Sequence, residues 1–311
     1  MANFKKYTNS TVEKYVKKRQ NEVKLGEKVH IGNLEGQYVV IGVPESVGVK
    51  ANFGVGGTET LWTAFLSNFL NIQSTEKLSG ADVSIFGYFD FAPSVSVAQI
   101  DDAVEKITLK IALEGKIPIV IGGGHNNAYP ILKGVSKAKN QVLNAINLDA
   151  HSDFRRMEGR HSGNGFRYAY TEGYLKKYAM IGLHESYNAQ NIIEEIVKNP
   201  DIQFSLYEDI FVRAKINYVQ AILDAVDFTR NAPVGIELDL DCIENTLSSA
   251  MSPCGVSTLQ ARQYLYHTAK NCDIAYLHIT EGATQLDSGL KNPLTGKLVS
   301  YLVSDFLKAT I

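Results

Sequence analysis

The chain predicts an α/β fold of three layers, α/β/α, with helices on both faces of an eight-stranded, mostly parallel sheet. Two observations carry this expectation. Short apolar runs recur along the chain at Tyr38 to Val43, Val83 to Tyr88, Ile117 to Ile121, Val142 to Leu148, Ala179 to Leu183, Ile202 to Leu206, Val234 to Leu240 and Ile274 to Ile279. Stretches of helical periodicity separate them, and apolar strands alternating with helices pack as a parallel sheet covered on both sides. No internal repeat, low-complexity tract or composition break divides the 311 residues, so a single domain over 1–311 is expected.

The elements follow in order. Asn9 to Gly26 mixes apolar and charged positions at helical spacing, which predicts a peripheral N-terminal helix within a segment of about residues 1–36. Ser96 to Glu114 reads as a helix closed by Gly115 as its C-cap. Ser257 with Gln260 forms a capping-box pattern ahead of a helix through His267.

Composition narrows the function. A net charge of −2 with 45% hydrophobic residues gives no reason to expect a nucleic-acid partner, a membrane surface or disorder. Met1 to Leu25 is polar and lysine-rich, so neither a signal peptide nor an anchor is expected there, and no run is apolar enough to span a bilayer. Cys242, Cys254 and Cys272 lack CxxC spacing and fit a reducing cytoplasm better than a disulfide framework.

The chemistry gathers where strands end. After the run Val142 to Leu148 come Asp149, His151 and Asp153 at two-residue spacing, which in extended chain puts all three on one face. Crowded acceptors repel one another and are costly to desolvate, so a cation is expected among them. Asp239 and Asp241 repeat the pattern, and His125 follows another strand through Gly122, Gly123 and Gly124. Two imidazoles and four carboxylates are too many donors for one tetrahedral zinc and suit a pair of octahedral ions such as Mn2+. The triple glycine lacks the Gly-Lys-Ser/Thr of a phosphate cradle. With Glu185 and Glu281, five segments reach the carboxyl edge of the sheet, where ligands of such folds collect.

Three motifs, Gly-Gly-Gly-His ending at His125, Asp-Ala-His-Ser-Asp ending at Asp153 and Asp-Leu-Asp ending at Asp241, resemble those of the ureohydrolase superfamily of arginases, agmatinases and formimidoylglutamases. They stand in that family's order and approximate spacing, and the likeness runs from Val39 to about Leu307, including Gly42-Val43-Pro44-Glu45 and the loop Gly48 to Gly54. The resemblance implies an arginase-like fold, a homo-oligomer (trimer or hexamer) and a small amidine or guanidine substrate. It implies about two Mn2+ per chain, with His125 and Asp153 on one ion, His151 and Asp241 on the other, and Asp149 and Asp239 bridging. A water shared by such ions has a lowered pKa, and its hydroxide would attack the amidine or guanidine carbon.

The resemblance also implies roles around the metals. Glu281, in His278-Ile279-Thr280-Glu281-Gly282, matches the carboxylate that pairs with the cationic amidinium, and a transition state that keeps that charge wants an anion not bound to metal. His278 reads as a sheet histidine. His161 and the run Ser162 to Phe166 resemble the substrate loop, with Asn164 a substrate-binding candidate. Arginases and agmatinases carry a proton-shuttling histidine there; the matching position is Phe166, which points to the formimidoylglutamases and leaves His161 as the candidate substitute. Arg155 is placed like the formimidoylglutamase arginine and could grip a carboxylate in a bidentate fork. Glu185, Tyr187 and Asn188 follow the fifth strand, where the family binds the amino-acid end of its substrates, and Glu185 and Asn188 are taken as contacts.

Glu237 and Glu244 stand where the family motif often has Ser and a third Asp, Asn245 to Pro253 is longer than usual, and all are expected beside the pocket. The expected function is a binuclear manganese hydrolase cleaving N-formimidoyl-L-glutamate, a step of histidine degradation. The alternatives are a guanidino hydrolase of the agmatinase or arginase type, and a catalytically silent oligomeric binding protein, against which retention of all the metal donors weighs.

Overall fold

A computed structural model describes residues 2–310. Its ten strands are β1 (Ala2–Lys6), β2 (His30–Ile31), β3 (Tyr38–Gly42), β4 (Val83–Phe91), β5 (Ile117–Ile121), β6 (Leu143–Leu148), β7 (Leu175–Leu183), β8 (Ile202–Leu206), β9 (Val234–Asp239) and β10 (Ile274–Thr280). The ten helices are α1 (Asn9–Glu13), α2 (Val47–Ala51), α3 (Leu61–Phe69), α4 (Val97–Leu113), α5 (Ala128–Lys139), α6 (Gly165–Thr171), α7 (Gln190–Val197), α8 (Tyr218–Thr229), α9 (Thr258–Asn271) and α10 (Leu294–Ala309).

One sheet runs through the molecule in the order β1-β4-β3-β5-β10-β9-β6-β7-β8, with β2 also on β4. The strands from β4 to β8 in that order are the eight expected ones, all parallel. The two additional strands tile the outer edge of β4: β2 runs parallel against Ser84 and Ile85, and β1 antiparallel against Gly87 to Phe91. They cover the row of unpaired backbone groups that an edge strand otherwise exposes.

The helices sort into two layers. Leu61, Phe65 and Phe69 of α3, Ile222 of α8, Leu265 of α9 and Phe306 of α10 bury against one face. Ile100 of α4, Ile131 of α5, Phe166 of α6 and Ile196 of α7 bury against the other. Each such side chain contributes about 1.5–3 kcal/mol by leaving water, so the two cores clamp the sheet and fix the ends of its strands. Ser96 and Ser257 cap α4 and α9 with reciprocal bonds to Gln99 and Gln260, and Gly115 closes α4 at a φ of +70°. Among the described residues no helix is long and apolar enough to cross a membrane.

The helix expected over Asn9 to Gly26 does not form. Only Asn9–Glu13 is α-helical, with Leu25 and Gly26 in a separate 3-10 turn, because distant groups take the backbone that would continue it. The Asn71 side chain accepts from Lys17 N–H at 2.7 Å and donates to Tyr15 C=O at 2.7 Å, while Leu25 and Gly26 N–H donate to Ile72 and Leu70 C=O.

Candidate metal centre

The carboxyl ends of β5, β6, β9 and β10 are neighbours in the sheet, so the loops that leave them meet. Gly122 and Gly123, at φ of +90° and +77°, turn the chain leaving β5 so that His125 points back beneath the loop after β6. A side chain at Gly123 would also strike Asn127 Nδ2 at 2.4 Å. The Asp149–Asp153 loop is braced from within: Asp149 Oδ1 accepts His151 N–H at 2.7 Å, and Asp149 Oδ2 accepts Asn147 Nδ2 at 3.0 Å. Asp239 Oδ1 holds Asp241 N–H in the same way at 2.8 Å.

Three carboxylate oxygens converge on one ring nitrogen. His125 Nδ1 lies 2.8 Å from Asp153 Oδ2, 3.1 Å from Asp239 Oδ2 and 3.2 Å from Asp149 Oδ2. His151 Nδ1 lies 3.2 Å from Asp241 Oδ2 and 3.5 Å from Asp149 Oδ1. Donor atoms of His125, Asp149, Asp153 and Asp239 fall within 4.8 Å of one another, and so do those of Asp149, His151 and Asp241. Asp149 thus belongs to both groups.

The electrostatics fit a cation. Burial and the charges of Asp241 and Asp149 push Asp239 well above the usual carboxylate range. Burial and Asp149 push Asp153 up to about 6. Burial works against charge on His125 and His151, but the surrounding carboxylates override it and hold both rings above their ordinary value. Asp241 Oδ1 is buried with no hydrogen-bond partner. Mutually repelling carboxylates around an orphaned oxygen are what a hard divalent ion would satisfy.

A cavity of about 730 Å³ opens onto this cluster, and His151, Asp153, Asp239, Asp241 and Glu281 line it. Glu281 leaves β10 at a φ of +63°, is only 3% exposed, and accepts the His125 N–H at Oε1 and the Ser249 hydroxyl at Oε2. Asp153 is left-handed as well, at +44°. Side-chain-bearing residues rarely adopt this region, and here two of them aim carboxylates at one cluster. Arg155 also lines the cavity, its Nη1 donating to Asn52 Oδ1 at 2.8 Å and its Nη2 lying 2.5 Å from Glu158.

Other residues expected at the site lie differently. Glu185 is exposed and drawn away from the cavity by a bidentate pair with Arg213 at 2.6 and 3.3 Å. Asn188 lines the cavity, but its amide is taken up by Ser152 N–H, Ala150 C=O and His184 C=O, so it braces the Asp149–Asp153 loop. Asn164 is fully buried outside the cavity lining, accepting from Arg160 at 2.8 Å and donating to Gly159 C=O at 2.6 Å. Arg160 in turn pairs with Asp101 and sits against the edge-to-face pair of Tyr129 and Tyr168, 4.7 Å from each ring. His161 is buried outside the lining too, its Nδ1 accepting from Gly163 N–H at 3.1 Å. Phe166 packs behind the donor cluster, stacked on Tyr178 at 4.3 Å and edge-on to His125 at 5.0 Å.

Glu237 and Glu244 do not line the pocket. Glu244 is exposed, whereas Glu237 is fully buried under His125, with its Oε2 3.4 Å from His125 Nε2 and 2.7 Å from His278 Nδ1. Tyr276 donates to its Oε1 at 2.7 Å. Sequence reading missed this support, although the alternation Glu237, Asp239, Asp241 carried the signal.

The chain matches a known family and known structures. The family model described as Arginase family matches residues 37–307. The formimidoylglutamase of Macrococcus caseolyticus is 27% identical over 305 residues, covering 97% of this chain and 91% of that one. The formimidoylglutamase of Streptococcus gordonii is 28% identical over 237 residues, 72% of this chain and 68% of the other. Among solved structures, formimidoylglutamase from Bacillus subtilis superposes with a TM-score of 0.81 at 18% identity, over 94% of this chain and 93% of that one. Trypanosoma cruzi formiminoglutamase with Mn2+ gives 0.79 at 20% identity, over 93% and 98%.

Proposed function

The chain belongs to the arginase family, and on that premise we propose that it is a binuclear manganese hydrolase cleaving N-formimidoyl-L-glutamate to L-glutamate and formamide. The observation that carries this reading is the clustering of His125, Asp149, His151, Asp153, Asp239 and Asp241 at the floor of one cavity, lined by four of them together with Glu281 and Arg155. The formimidoylglutamases of Macrococcus and Streptococcus, similar over most of this chain, support the substrate.

In this reading His125, Asp153 and Asp239 would hold one ion, His151 and Asp241 the other, and Asp149 would serve both. The membership of Asp149 in both donor groups supports that division, and the hard oxygen-rich set supports manganese. When bound, such ions lower the pKa of a water toward neutrality and orient it toward a carbon. Burial and the Asp241 and Asp153 carboxylates push Glu281 up to about 8, so a cation beside those carboxylates favours its ionised form, which would face the planar cationic head of the amidine. Arg155 offers a carboxylate of the glutamate tail the guanidinium N–H groups that Asn52 and Glu158 leave open. Hydrolysis breaks the bond between the amidine carbon and the glutamate nitrogen. The carbon leaves with the water oxygen as formamide, and the nitrogen gains a proton and leaves as the amine.

We also place the chain in the cytoplasm as a trimer or hexamer; three cysteines without CxxC spacing fit a reducing compartment. Assay of the manganese-loaded protein for formamide and glutamate release, beside urea release from arginine and agmatine, tests the function. Urea as the main product would overturn the substrate assignment, and no turnover of any of them would point to a silent binding protein.

A further inference from the structure

Resting on the reading of Glu281 as the anion that faces the amidinium, we propose that Ser249 is a positioning residue that fixes the Glu281 carboxylate. The two oxygens of Glu281 have one protein partner each: His125 N–H donates to Oε1 at 2.7 Å, and the Ser249 hydroxyl donates to Oε2. Remove the hydroxyl and Oε2 keeps no protein donor, so the carboxylate is tethered at one oxygen and free to turn about it. The strand does not set its direction either, because β10 ends at Thr280 and Glu281 is already left-handed.

Ser249 reaches this position through the stretch that the sequence marks as long, Asn245 to Pro253. The structure lays part of that stretch against the segment after β10. Ser248 bridges Gly282 in antiparallel fashion, Ala283 N–H donates to Leu247 C=O at 2.8 Å, and Ser249 N–H donates to Glu281 C=O at 3.0 Å. Ser249 C=O accepts from Val55 N–H at 3.3 Å on the far side. The backbone is thus held from both sides, and the side chain, 9% exposed, faces the cavity that the metal donors line. A hydroxyl delivered by a clamped backbone loses little freedom when it bonds, which is how a surrounding residue preorganises a charged group.

The test uses the full chain loaded with manganese and the variants Ser249→Ala, Ser249→Thr and Glu281→Gln. Ser249→Ala should keep its metal and lose roughly tenfold to a hundredfold in kcat/KM on formimidoylglutamate, shared between a higher KM and a lower kcat, as expected for a lost hydrogen bond to a charged group. Ser249→Thr, which restores the hydroxyl, should recover most of that loss. If Ser249 acts through Glu281, adding Ser249→Ala to Glu281→Gln should cost less than about threefold more. Unchanged turnover in Ser249→Ala, or losses that multiply in the double variant, would overturn the proposal. Formamidinium carries the cationic head without any tail, so its binding reports on Ser249 even if formimidoylglutamate proves the wrong substrate. It should bind Ser249→Ala about tenfold more weakly than the unaltered protein. Equal affinity, or no binding to either, would overturn the proposal without touching the question of the tail.

Discussion

The main-chain N–H of His125 donates to Oε1 of Glu281 at 2.7 Å, so one hydrogen bond links a metal-donor candidate to the carboxylate proposed to face the substrate. A glutamine at 281 keeps an acceptor oxygen for that bond and removes only the charge. Glu281→Gln is therefore expected to retain its manganese and to lose about a hundredfold to a thousandfold in turnover, the scale seen when a preorganised electrostatic group is removed. Metal analysis and steady-state kinetics on one preparation check both halves. Normal turnover would remove Glu281 from its assigned place.

Asp149 contributes oxygens to both donor groups, whereas His151 belongs to one. Asp149→Ala should accordingly drop the manganese content from about two to below about one per chain, and His151→Ala should leave about one. Equilibrium dialysis followed by elemental analysis reads the difference. Equal stoichiometry in the two variants would contradict the shared role of Asp149.

Arg155 lines the cavity with its guanidinium steadied by Asn52 at 2.8 Å. Arg155→Ala should raise KM for formimidoylglutamate by about one to two powers of ten, the worth of a charge-assisted hydrogen bond, with metal content unchanged. Asn52→Ala should raise it less, since it loosens the fork without removing it. Unaltered kinetics in Arg155→Ala would put the carboxylate grip elsewhere.

Burial, reinforced by the Arg155 charge, holds His161 below its ordinary imidazole value, so the folded chain binds fewer protons there than the unfolded chain. Stability from this residue is then complete above a pH of about 6.5 and is lost as pH falls from there through the folded-state value. His161→Asn keeps an acceptor near Gly163 N–H but does not titrate. Its melting temperature should therefore fall less steeply than that of the unaltered protein on acidification below that point. Parallel melting curves across the acid range would show that His161 contributes no such dependence.

Phe166 is fully buried between the Tyr178 ring and the edge of His125. Phe166→Ala should cost about 3–5 kcal/mol of folding stability by leaving a cavity, and should weaken manganese binding by loosening His125. Chemical denaturation with and without metal measures both. A small loss of stability with unaltered metal affinity would show that His125 is held by its backbone alone.

The sequence by itself determined the layers and the candidate donor set. The eight parallel strands were legible because an apolar run bounded by helical periodicity is a local property, and the capping pairs Ser96 with Gln99 and Ser257 with Gln260 lie within one helical turn. The same locality put Asp149, His151 and Asp153 on one face and Asp239 with Asp241 on another. Tertiary structure alone decided which loop side chains face the cavity. Glu185 turns away because Arg213, 28 residues on, captures it, and Asn164 turns inward because Arg160, anchored on Asp101 59 residues earlier, takes its oxygen. The N-terminal segment gives up its helix to Asn71 for the same reason, and Glu237 becomes the buried support of His125 only because β9, β10 and the loop after β5 meet in space. Periodicity fixes the face on which a residue stands within its own element, but a loop side chain takes its direction from partners remote in sequence, and those exist only once the chain has folded.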